Sequence, residues 1–175
     1  MPRTGATSAL VVTAFMALLQ GCHPSFDVHV SSKSTVQGGG LVQNLVFGLG
    51  TGFSNFDIAQ QQDFKNQGVS KSDVNSVKLK SMQLKVTSPA GATLDFLKSI
   101  EFSATSDGLP TVSVASISAI PAGATTVDLA VANVELKPYI VAPSMSVTTN
   151  ANGHPPPQDT EIEASLVLDV EPKIF

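Results

Sequence analysis

Between Glu161 and Val170, apolar Ile162, Ala164, Leu166, Leu168 and Val170 fall on one side of the chain, with Glu161, Glu163, Ser165 and Asp169 opposite. A period of two fits a half-buried β-strand and not a helix, whose apolar stripe repeats every three or four residues. The same period runs through Phe96, Ile100, Phe102 and Ala104, set against Glu101 and Ser103. Val112 and Val114 begin another strand. Tyr139, Val141, Met145 and Val147 make a further one, with Pro143 marking an edge or a bulge.

Two strands change phase midway. Val77 and Leu79 share one parity, whereas Met82, Leu84 and Val86 share the other, so the switch falls at Lys80-Ser81. One inserted residue is what a β-bulge supplies. Val127, Leu129 and Val131, then Val134 and Leu136, switch in the same way at Ala132-Asn133. Matching interruptions suggest bends where strands pass from one sheet to another. Turn chemistry separates the runs at Ser88-Pro89-Ala90-Gly91, Ser106-Asp107-Gly108, Pro121-Ala122-Gly123 and Asn150-Ala151-Asn152-Gly153. The expectation is an all-β chain, an antiparallel immunoglobulin-like β-sandwich of about seven or eight strands. A membrane barrel is not expected: Glu101, Asp128 and Glu135 oppose the apolar positions, and aromatic girdles are lacking.

The N-terminal part is organised differently. Ala9 to Leu19 is an apolar run too short to cross a hydrocarbon core of ~30 Å, and Arg3 precedes it. Gly21 stands directly before Cys22, the only cysteine, and Leu19 lies three positions before it. This stretch resembles the lipobox of bacterial lipoproteins. The resemblance implies cleavage between Gly21 and Cys22, with acyl chains on Cys22 as a stable membrane anchor. His23, where an Asp would resemble an inner-membrane retention signal, points to the outer membrane of the cell envelope. The expected organisation is a signal peptide over 1–21, a lipidated cysteine and flexible tether over 22–40, and a sandwich over 41–175. Within the tether Phe26, Val28 and Val30 allow one short strand before Ser31 to Thr35 and the glycines Gly38 to Gly40. Leu41 to Leu49 reads as a buried strand, Ile58 to Asn66 as a short helix, and Ser70 to Asp73 as a capping box.

Composition narrows the function. Without residues 1–21 the chain carries nine Lys, no Arg and fourteen Asp plus Glu, a formal charge of −5 (9 − 14). That excludes the basic surface a nucleic-acid partner requires. A single cysteine permits no intrachain disulfide, and with no Trp and only Tyr139 a carbohydrate-stacking platform is not expected.

No catalytic constellation emerges. His23, His29 and His154 lack metal-pair spacing, no Gly-x-Ser-x-Gly is present, and the glycine runs lack the Lys-Ser/Thr ending of a phosphate loop. Asp159, Glu161 and Glu163 would form one row on a strand, about 7 Å apart. Such a row reads either as a calcium candidate, if loop carbonyls complete the shell, or as a solvated strand face. No cofactor is expected.

The stretches Thr87 to Leu97, Asp107-Gly108-Leu109-Pro110 and Leu136-Lys137-Pro138-Tyr139 resemble secreted β-sandwich lipoproteins of Gram-negative bacteria. The architecture is also similar to the immunoglobulin-like sandwiches of desiccation-linked late-embryogenesis proteins. Neither likeness carries a functional residue beyond Cys22. The expected function is a membrane-anchored envelope lipoprotein acting as a non-enzymatic binding or structural module toward an envelope or extracellular protein. Its best contact is the loop around His154-Pro155-Pro156-Pro157, where prolines limit the entropy lost on binding. An alternative is a lipid- or metabolite-carrying sandwich with a cavity at Phe96, Ile100, Phe102 and Leu168, and a hydrolase comes last.

Overall fold

The computed structural model describes residues 24–39, 53 and 55–173. Gly21, Cys22 and the strand expected over 41–49 lie outside these residues. Among the described residues eight strands form: β1 (Phe26–Val36), β2 (Val74–Ser88), β3 (Leu97–Thr105), β4 (Val112–Ile117), β5 (Thr126–Asp128), β6 (Ala130–Val131), β7 (Ser146–Gly153) and β8 (Thr160–Pro172). Two short helices accompany them, α1 (Gln62–Asn66) and α2 (Lys137–Val141). The strands make two antiparallel four-stranded sheets, ordered β1-β8-β2-β5 and β6-β4-β3-β7, with one apolar core between them. The all-β sandwich expected from the alternation is therefore present. Its strand order sets β8 between β1 and β2, whereas the first two strands of an immunoglobulin sandwich are neighbours.

β8 alternates strictly between buried and outward residues from Thr160 to Val170 and is the strand that both β1 and β2 pair along. The phase change in β2 is a bulge. Leu79 pairs with Leu168 and Ser81 with Val167, so Lys80 is the extra residue. It keeps both halves of the strand facing inward: Val77, Leu79, Met82 and Leu84 are 0, 7, 1 and 1 % exposed.

β2 nevertheless stays in one sheet. The passage between sheets lies elsewhere, at Leu129, earlier than the Ala132-Asn133 phase change. β5 pairs with β2, Leu129 donates its backbone N–H to the Met82 carbonyl at 2.9 Å, and β6 then pairs with β4 in the other sheet. Ala132 bonds the Val114 carbonyl at 2.9 Å, and Leu136 returns to β2 at the Val77 carbonyl at 2.8 Å.

Two further expectations are corrected. Tyr139 and Val141 lie in α2 and not in a strand; Pro138 sits in its first turn, where a missing N–H is harmless. Tyr139 and Ile140 are buried, and the Tyr139 hydroxyl donates to the Pro110 carbonyl at 2.6 Å. Asn150 to Gly153, turn-like in composition, is the end of β7 and pairs with β3 from Leu97 to Glu101. Asn150 and Asn152 are exposed there, so their polarity does not oppose the strand.

Of the stretch 22–40 expected to be a tether, Phe26–Val36 is β1, paired with β8 from Phe26↔Val170 to Val36↔Thr160. Its inward residues Val28 and Val30 join the core. Its open edge is partly closed by α1: an Asp63 carboxylate oxygen accepts the His29 backbone N–H at 3.0 Å and lies 3.0 Å from the ring Nδ1. Phe64 is buried beside Phe26, with ring centroids 6.0 Å apart. Covering an edge strand with a helix removes a template for unwanted pairing. The capping box at Ser70 is present, with the Asp73 carboxylate accepting the Ser70 backbone N–H at 3.0 Å, and it opens a single 3-10 turn before β2.

Candidate functional site

The sandwich has two poles. At one, β1 and β2 begin, β8 ends, and α2 packs against β2 and the 3-10 turn Lys71–Asp73. At the other, three connectors cross between the sheets: 89–96 from β2 to β3, 118–125 from β4 to β5, and 154–159 from β7 to β8. Residues 37–39, following β1, reach this second pole as well.

A cleft of about 410 Å³ opens there between the first and last connectors. Ala90, Ala92, Phe96, Pro156 and Pro157 give it apolar walls; Thr93, Asp95, His154 and Gln158 supply polar groups. Clefts of a few hundred Å³ with apolar walls and a few convergent polar groups are the usual form of small-ligand and anchor-residue sites.

Each wall is held by the main chain. On the first, Gly91 adopts a positive φ of 80° in the turn, Leu94 is buried, and its N–H bonds the Ala124 carbonyl at 2.7 Å. Asp95 ties two connectors together, accepting the Gly123 N–H at 2.6 Å and the Thr93 hydroxyl at 2.9 Å. With both oxygens engaged, Asp95 braces the cleft and colours it negative. It is the one residue of formal charge in the lining, so the cleft suits neutral or cationic groups better than anions.

On the second wall the His154 N–H bonds the Phe96 carbonyl at 2.8 Å, and the Pro156 carbonyl accepts the Gly39 N–H at 3.0 Å. Pro156 is buried, whereas His154, Pro157 and Gln158 are exposed and Pro155 is intermediate. The His154 Nδ1 lies 3.0 Å from the Pro155 carbonyl. A carbonyl only accepts, so this contact places the proton on Nδ1 and leaves Nε2 of the neutral ring to accept. Gly38 presses closely on the same loop: a Cβ there would sit 2.3 Å from Gln158 Cα, and the Gly38 N–H donates to Asp159 Oδ1 at 2.9 Å.

The structure does not assemble Asp159, Glu161 and Glu163 into one row. Asp159 lies in the connector, bonded to Gly38, because β8 begins only at Thr160. Glu161 accepts from Lys33 Nζ at 3.0 Å and from the Thr87 hydroxyl at 2.5 Å. These two bonds, Thr87 first, hold its carboxyl below the usual range. Glu163 stands between Lys33 and Lys85 in the ladder. Among the described residues no group of three or more His, Cys, Asp or Glu is gathered to hold a metal ion. His29 is engaged by Asp63 far along β1 from the cleft, and His23 is not among the described residues. Phe96, Ile100, Phe102 and Leu168 are core residues, all 3 % exposed or less, and of these four Phe96 alone lines the cleft.

Of the loop residues singled out in the sequence, His154, Pro156 and Pro157 line the cleft and Pro155 does not; the opposite wall was not singled out. Ala90, Thr93 and Asp95 face His154 only through the pairing of β3 with β7, a long-range relation with no local signal. No protein-family model matches the chain, and no curated protein matches it.

Proposed function

We propose that this chain is a lipid-anchored β-sandwich of the cell envelope, held in the outer membrane by acyl chains on Cys22, that acts as a non-enzymatic binding module. The anchor rests on Leu19-Gln20-Gly21-Cys22. The observation that carries the binding role is the cleft, whose stiff proline wall is braced by Gly38 and Gly39 while His154, Pro157 and Gln158 remain exposed. A preformed, rigid site loses little entropy when a partner docks. The partner is an envelope or extracellular protein presenting a small neutral or cationic group to the cleft. The packing of Phe96, Ile100, Phe102 and Leu168 in the core favours this surface site over an internal carrier cavity.

Photo-cross-linking in intact cells tests the reading, with the reactive group at Gln158 and, for comparison, at Thr148 on β7. A specific adduct from Gln158 alone supports it; equal labelling from both positions, or none, overturns the assignment of the cleft. Release of a Cys22→Ser variant from the membrane fraction supports the anchor, and retention rejects it.

A further inference from the structure

We infer that the domain stands end-on at its membrane, with the α2 pole against the bilayer surface and the cleft facing the aqueous phase. This rests on Cys22 being the anchor. Phe26 is the first residue of β1, so four Cα–Cα steps (26 − 22) connect it to Cys22. Fully extended, such a leash reaches about 14 Å. The pole at which β1 begins therefore cannot leave the vicinity of the bilayer.

β1 then leads away from that pole. Its eleven residues span about 33 Å at the usual rise of an antiparallel strand. Val36 at its far end pairs with Thr160, and Gly39 just beyond it bonds the Pro156 carbonyl in the cleft wall. The anchor and the cleft thus lie at opposite ends of the same strand.

The surfaces decide between standing and lying flat. The outer face of the first sheet carries Asp27, Lys33, Lys78, Lys85, Glu163 and Asp169 along three neighbouring strands. The outer face of the second presents Glu101, Thr148, Asn150 and Asn152. Pressing either flank into the acyl boundary would strip water from charged or amide groups without replacing their hydrogen bonds. The anchored pole also carries charged groups, Lys71, Asp73 and Lys173 among them, but it adds one apolar projection. Val141, at the end of α2, is 42 % exposed and is the large hydrophobic side chain left exposed among the described residues. A short leash and one projecting apolar residue at the same pole fit a bilayer surface as their occupant. The cleft, about a strand length away, then meets partners from solution and not lipids of its own membrane.

The test uses the lipid-modified protein purified from its membrane and reconstituted into phosphatidylethanolamine–phosphatidylglycerol vesicles containing lipid with a nitroxide headgroup. Cys22 is the only cysteine, and acylation occupies its thiol, so a cysteine at Val141→Cys or Gln158→Cys is the single site for a fluorophore. The expected result is several-fold stronger quenching at position 141 than at 158. Equal quenching means a domain lying flat, stronger quenching at 158 means the inverted pose, and no quenching at either in vesicle-bound protein means a domain held off the surface. Each of these overturns the inference while leaving the anchor intact. Protein that does not float with the vesicles at all overturns the anchor itself, so the two failures are told apart. Unchanged far-UV circular dichroism of both variants shows that the labels report on the native fold.

Discussion

Lys80 Nζ lies 2.7 Å from Asp27 Oδ2, although the strands that carry them, β2 and β1, are separated by β8. Lys80 is the bulge residue, and the distortion that keeps β2 in phase with the core also sends this side chain across a whole strand. The hydrogen bond that Lys80 donates to Asp27 raises the Lys80 pKa above its ordinary value, against a smaller opposing effect of burial. The raised value means that the pair favours the folded state below the ordinary lysine range, and that this contribution is lost as pH rises through the folded-state pKa. An exposed pair contributes little. Lys80→Ala should therefore melt close to wild type at neutral pH, whereas deleting residue 80 should abolish cooperative unfolding. Deletion would turn Val77 and Leu79, or else Met82 and Leu84, to the solvent face. Thermal melts of the two variants check the contrast; equal losses would show that the bulge does not set the register.

Glu135 acts as a side-chain substitute for a neighbouring strand. Its carboxylate accepts the Val77 N–H at 2.8 Å, the Lys137 N–H at 2.9 Å and the Ser76 hydroxyl at 2.6 Å, next to the irregularity between Val74 and Ser76. Burial pushes its pKa up, but these bonds, with Lys78 nearby, outweigh that and leave it lowered. A lowered pKa stabilises the fold above the ordinary glutamate range, and the effect disappears as pH falls through the folded-state value. Glu135→Gln should cost about 1 kcal/mol at pH 7. The gap should narrow in urea titrations repeated as pH falls below the ordinary glutamate range and through the lowered folded-state value, where the wild-type carboxylate takes up its proton.

Gly38 leaves no room for a side chain, since a Cβ would meet the Gln158 backbone at 2.3 Å. Gly38→Ala must displace the 154–159 connector, with a stability cost of about 1–3 kcal/mol, the usual range for overpacking. In amide spectra the largest shifts should fall on His154 to Thr160. Shifts confined to residues 36–40 would show that the connector does not depend on this contact.

The three prolines of the connector have different tasks. Pro156 is buried and its carbonyl holds Gly39, whereas Pro157 is exposed on the cleft wall. Pro156→Ser should lower the melting temperature. Pro157→Ser should leave it near wild type and weaken the Gln158 photo-adduct. The reverse pattern would move the contact away from the exposed wall.

Much of this architecture is legible in side-chain parity. β8 and the Lys80 bulge follow from it directly, because a buried face admits one parity only. Parity misled at Tyr139 and Val141, which fall on opposite sides of α2, one buried and one exposed; Pro138 in the first turn was the better signal. The first half of β1 was legible in Phe26, Val28 and Val30, but its second half was hidden because Ser32 and Ser34 continue the inward parity with polar residues. In the site, the proline wall was visible as a stiff local sequence. The facing wall and the contact with Gly38 depend on connectors brought together by pairings between distant segments, and no window of the sequence contains them.

The central place of β8 has a consequence for how the molecule is made. β1 and β2 both pair with a strand that the ribosome delivers only with residues 160–172, more than a hundred residues after β1. Contacts of such long sequence separation form slowly and late. Until then the second sheet, whose strands β3, β4, β6 and β7 all precede β8, can assemble, whereas β1 waits without its ladder, so the last residues made are the ones that close the first sheet.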